Sequence, residues 1–165
     1  MAIVNTLTAA LAAQDAADDL RATLGRPLQV MTGVIEVAAA DSDTSTYRIL
    51  RVPSNIVVTS LEVACDALGT SAAYDIGVYD IAANNAGAVV DADEFASGVV
   101  MSSAIGWTNV LEEAAATDKD KIGKPLWERL GLTSDPGKSY DIVATGNTAG
   151  DAAGSIALRL GYYIK

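Results

Sequence analysis

Three groups of residues in this chain have the types that chemistry uses. The first is Gly137-Lys138-Ser139, the closing triplet of a phosphate-binding loop. That loop needs a glycine five positions before Gly137, so that successive backbone N–H groups can curl around phosphate oxygens. Leu132 stands there, and the nearest glycine, Gly131, is one residue too far. The following Tyr140-Asp141-Ile142-Val143-Ala144-Thr145 reads as β-strand, not as the helix a phosphate loop opens. Asp135-Pro136-Gly137 is therefore read as a turn feeding a strand. The second group is acidic: Asp41/Asp43, Asp91/Asp93/Glu94 and Asp118/Asp120. Each resembles a fragment of a calcium loop, but none completes the oxygen ligands at positions 1, 3 and 5, the glycine at 6 and the glutamate at 12. Asp91-Ala92-Asp93-Glu94 could offer carboxylates to a cation; otherwise all three groups are loop charges. Carboxylate pairs also serve glycoside hydrolysis, and no two here are set at the required separation by sequence. The third group is the single thiol, Cys65, which falls on the apolar face of a strand and reads as a buried structural residue.

What is missing weighs as much. The chain has no histidine, which removes Ser-His-Asp and Cys-His catalysis, histidine-held zinc and the commonest general base. No catalytic residue, metal site or cofactor is assigned. A net charge of −10 argues against nucleic acid and anionic membrane as partners, since both are polyanions. There is no secretion signal and no apolar run that would span a bilayer, so cytosolic synthesis is expected.

The elements that must position these residues fall into two regions. Residues 1–26 form an N-terminal arm, Ala-rich, with Leu7, Leu11, Leu20 and Leu24 at roughly helical spacing and Asp15, Asp18 and Asp19 between them. Helix and an extended arm that orders against a partner are both open. Residues 27–165 read as one β domain. Half of the chain is hydrophobic, yet it holds one Phe and two Trp, so the core must come from small and β-branched residues, which suits sheets in close contact. Strands are expected at Leu28 to Val37, Tyr47 to Val52, Ile56 to Cys65, Tyr74 to Ile81 and from Ile156 to Ile164. In the third, Val57, Leu61, Val63 and Cys65 share a face; in the last, Ile156, Leu158, Leu160, Tyr162 and Ile164 do. Ala82 to Gly137 reads as a long insertion with one short helix, Pro125 to Leu130, with Trp127 on the core. The fold class is all-β, an antiparallel β-sandwich or jelly roll with an N-terminal arm and one short helix in a long insertion.

Three stretches, "VIEVAAADSDTSTYRILRVPSN", "AAYDIGVYDIAANNAGAVVDADEFA" and "KPLWERLGLTSDPGKSYDIVATGNTAGDAAGSIALRLGYYI", with the opening "MAIVNT", together resemble the head decoration (cement) proteins of tailed bacteriophages. The resemblance runs from Val34 onward with its order preserved. It implies a non-catalytic virion protein on the capsid exterior that bridges major capsid protein subunits and stabilises the shell. It also implies self-association, with a homotrimer at local threefold positions expected first and a homodimer at twofold positions second. Interface residues are expected in the arm (Ile3, Val4, Leu7, Leu11) and at the loop tips near Asn84, Asn85 and Trp107. The other reading is a virion-displayed carbohydrate-binding jelly roll that stacks sugars on Trp107 and on Tyr79, Tyr162 and Tyr163.

Overall fold

A computed structural model describes residues 27–111 and 119–165. Eight strands form two four-stranded sheets. They are β1 (Gln29–Val37), β2 (Thr46–Pro53), β3 (Ile56–Cys65), β4 (Ala73–Asp80), β5 (Val89–Val100), β6 (Ile105–Asn109), β7 (Ser139–Thr148) and β8 (Gly154–Ile164). Sheet A has the order β1-β8-β3-β6 and sheet B the order β2-β7-β4-β5, with every neighbouring pair antiparallel. The first strand pairs with the last, the second with the seventh, the third with the sixth and the fourth with the fifth. The chain is thus a long hairpin, turning at β4–β5 and rolled up so that alternate strand pairs fall in opposite layers. This is a jelly roll, as expected.

One apolar layer lies between the sheets. Ile56, Val58, Leu61, Val63, Cys65, Ile156, Leu158 and Leu160 enter it from sheet A, and Leu50, Val52, Tyr74, Ile76, Val78, Phe95 and Ile142 from sheet B. Cys65 is buried among them, where loss of solvation pushes its thiol up and leaves it a poor nucleophile. At two points around this layer backbones come close. A Cβ on Gly77 would lie 2.2 Å from the carbonyl of Ala92 on β5, and one on Gly33 would lie 2.5 Å from the carbonyl oxygen of Ile49 on β2.

Four expectations need correction. Ala82 to Gly137 is not an insertion: it contains β5 and β6, one strand of each sheet. β5 was hidden because its register shifts three times against β4 and Asp91, Asp93 and Glu94 break the apolar alternation. β6 was hidden because it is five residues long and mostly exposed. In β3, the register slips between Val58 and Ser60, so Ile56 and Val58 face the core with Leu61 while Val57 turns outward. Val57 is nonetheless buried, bridged to Pro125 beneath the segment before the helix. β7 runs through Gly146, which opposes Tyr74, instead of ending there. Trp127 is only half-buried; Leu126 fills the core in its place.

The helix, α1 (Leu126–Arg129), is one turn long. Pro125 is its N-cap, and Gly131, at φ +76°, closes its other end as expected. The Gly131 N–H donates to the Glu128 carbonyl and the Leu132 N–H to the Trp127 carbonyl, which satisfies two otherwise free carbonyls.

The tight approach of β4 to β5 generates a test. Gly77→Ala should lower unfolding stability by about 2 kcal/mol or more, because the methyl group meets backbone that cannot step aside. Gly106→Ala, whose added Cβ meets nothing within 4 Å, should change stability by less than about 0.5 kcal/mol. Urea denaturation of the two variants measures both.

Candidate interaction surfaces

The outward face of sheet A is mostly apolar along β1 and carries the charges of Glu36, Glu62 and Arg159. Val30, Thr32, Val34 and Glu36 of β1 stand opposite Gly161, Arg159, Ala157 and Ser155 of β8, and Ala64 of β3 lies on the other side of Ala157. Val30 and Val34 are 64% and 63% exposed, and Leu28, just before β1, is 63% exposed. Single exposed valines are ordinary, but Leu28, Val30 and Val34 in line beside Ala157 and Gly161 make an apolar strip interrupted by Thr32. At its far side the Arg159 guanidinium lies 4.4 Å from the centre of the Trp107 ring and donates from Nε to Glu62 Oε2 at 2.7 Å. That hydrogen bond and charge hold the Glu62 carboxyl below its usual range and raise Arg159.

The outward face of sheet B is charged. A bulge at Ile49 slips β2 against β7 and puts Arg48 and Arg51 on one side, both over Asp141. Arg51 donates from Nε and Nη2 to the two oxygens of Asp141 at 2.7 and 3.1 Å, and Arg48 Nη1 donates to Asp141 Oδ2 at 2.9 Å. Arg48 also donates to the carbonyls of Asp80 and Gly87 and lies over the Tyr79 ring. Burial of Asp141 would raise its carboxyl, but the hydrogen bonds and charges of Arg51 and Arg48 outweigh that and hold it below the usual range. Beside it, Lys138 bonds to Asp80 and lies 4.8 Å from the centre of the Tyr140 ring. Lys138 of the apparent phosphate-loop triplet is thus already committed to a carboxylate.

A third cluster is interior. Glu94 of β5 accepts from Arg129 Nε at 2.9 Å and from Lys121 Nζ at 2.7 Å, tying α1 and the turn before it to sheet B. Arg129 also packs over Phe95, 5.4 Å from the ring centre. Burial pushes the Glu94 carboxyl up despite both cations. Asp93 is raised chiefly by its hydrogen bond with Asp91. The Asp91-Ala92-Asp93-Glu94 run therefore sends its glutamate inward to cations of this chain. Among the described residues no group of three or more acidic or thiol side chains is placed to hold a metal ion.

Of the residues singled out from sequence, Ile3, Val4, Leu7 and Leu11 lie outside the described residues. Asn84 and Asn85 sit on the β4–β5 connection of sheet B, where Asn85 adopts φ +50° at the start of a single 3₁₀ turn. Trp107 is on β6 of sheet A, 42% exposed. The structure assigns these two loci to different sheets. Sequence reasoning missed Val30, Val34 and Arg159 as surface-forming residues. Alternation along β1 was visible, but that β1 ends a sheet was not.

The fold has counterparts among solved structures. A chain in the capsid of Ralstonia phage GP4 matches with a TM-score of 0.62 at 16% identity, covering 84% of this chain and 85% of that one. A chain in the capsid asymmetric unit of cyanophage Pam1 matches with a TM-score of 0.54 at 16% identity, covering 86% and 88%. No protein-family model matches the chain, and no curated protein matches it. At this identity the likeness is one of fold, and it extends over most of each chain.

The Asp141 cluster predicts an acid sensitivity. A carboxyl held low in the folded state contributes stability above its unfolded value, near 4, and loses it as pH falls further. The urea midpoint should drop between pH 5 and pH 3. Asp141→Asn should cost about 2 kcal/mol at pH 7, between the values for exposed and fully buried pairs, and should show a smaller drop over the same window.

Proposed function

We propose that this protein is a non-catalytic structural component of a tailed-phage virion that binds the exterior of the capsid and stabilises it by bridging major capsid protein subunits. The observation that carries the reading is the whole-domain jelly-roll likeness to chains of two phage capsids. Its chemistry is consistent with that role. The chain has no histidine, and the ionised side chains that could suggest a reactive centre, Asp141, Glu94 and Lys138, are paired within the fold. What remains on the surface is area: an apolar strip on sheet A and a charged field on sheet B. Repetition of modest contacts over a symmetric shell gives high avidity without any single strong site. In this reading Ile3, Val4, Leu7 and Leu11 of the N-terminal segment, the loop at Asn84–Asn85 and the surface around Trp107 contact the shell.

The test is direct binding to expanded, undecorated shells built from the major capsid protein of the phage that carries this gene. Saturable co-sedimentation at a fixed ratio to capsid subunits, with a higher rupture temperature for the loaded shells, is expected. Protein that stays in the supernatant and leaves the rupture temperature unchanged would rule the reading out.

A further inference from the structure

The four strands that end the two sheets differ in how they are protected from pairing with another chain. β2 carries the bulge at Ile49, the charges of Arg48 and Arg51 and a terminal Pro53. β5 shifts register three times and carries Asp91, Asp93 and Glu94. β6 is only five residues long and also slips against its neighbour. These are the devices by which native sheets blunt their edges. β1 has none of them. It runs nine residues in unbroken register with β8, has no proline, and carries a single charge, Glu36, near its end. Among the described residues it has a neighbouring strand on one side only. A long, regular, mostly apolar edge that no described residue pairs with, in a sandwich whose other three edges are guarded, is a pairing site.

We propose that β1 pairs antiparallel with β1 of a second copy of this chain, across a twofold axis at Thr32, to make one continuous eight-stranded sheet. The sequence of the strand selects both the partner and the register. Outward-facing positions read Leu28, Val30, Thr32, Val34 and Glu36, and the central three are palindromic about Thr32. An axis there sets each Val30 against the second copy's Val34, and Thr32 against Thr32, so four exposed valines meet around two threonines. β-branched cross-strand pairs of this kind are favourable. Moving the axis by one residue to Gly33 would set each Val30 against a Glu36 carboxylate. Although the chain carries a net charge of −10, the pairing centre is uncharged and each Glu36 sits at an end of the ladder, beside Leu28. An isologous pair of this type uses up both open edges and closes the assembly at two copies, in place of the threefold association expected from the family resemblance.

The experiment uses the full chain, and because it contains no capsid its outcome is independent of the virion reading. Light scattering at about 100 µM should give a dimer, and Val30→Lys with Val34→Lys should give a monomer, with at least a tenfold weaker association. Both valines are exposed, so circular dichroism of the double variant should still report the folded β domain. In a Cys65→Ala background, Thr32→Cys should be joined between chains by a short bismaleimide. Glu36→Cys should not, because the two thiols would lie roughly 26 Å apart along the ladder. A wild-type monomer, a trimer, a dimer indifferent to the lysines, or cross-linking at Glu36→Cys but not at Thr32→Cys would each overturn the proposal.

Discussion

Two sheets in this molecule must share one apolar layer, and that layer has to be built almost without large side chains. Valine, isoleucine and leucine make up most of it, with Phe95, Met101, Tyr47, Tyr74, Tyr140 and Tyr162 as its larger members. Glycine stands where the bulged β5 folds against its sheet neighbour β4 and where β1 of one sheet meets β2 of the other, because backbone there leaves no room for a Cβ. The roll topology follows the same requirement. Each successive strand pair crosses to the opposite layer, so that each hairpin arm presents its apolar face to the other sheet and its polar face to water.

With the interior taken by hydrocarbon, ionisable groups are held where they brace the fold. Asp141 is satisfied by Arg48 and Arg51, Asp80 by Lys138, and Glu94 by Arg129 and Lys121. Each pair links segments far apart in sequence: β2 to β7, β4 to the start of β7, and β5 to the helix. Such links cost desolvation and return it only when geometry is good. Their main effect here is to fix the loops and bulges that carry the charges of sheet B.

Much of the fold could be read from the residues. Strands were expected where β1, β2, β3, β4 and β8 lie, and the Pro125…Gly131 punctuation identified the helix. The failures have a common cause. β5 and β6 do not alternate, because β5 is bulged and sends Glu94 inward to cations that come from 27 and 35 residues away, and β6 lies at an exposed edge. Val57 was placed on the wrong face because a bulge inverts the period of two, and nothing local announces it. Trp127 looked like the core residue of its helix on size alone, while the turn's geometry points Leu126 inward.

Composition and pattern alone determined that this chain is acidic and histidine-free and that its main body is a β domain. Those properties are sums over residues or short-range periodicities, and they need no knowledge of neighbours. Which strand lies beside which, and therefore which strand is left at an edge, was decided only by the tertiary structure. Edge position depends on pairings such as β1 with β8, whose registered residues stand 117 to 133 positions apart, and no local spacing encodes contacts at that range. The contrast between a guarded β2, β5 and β6 and an open β1 exists only once those long-range ladders have formed.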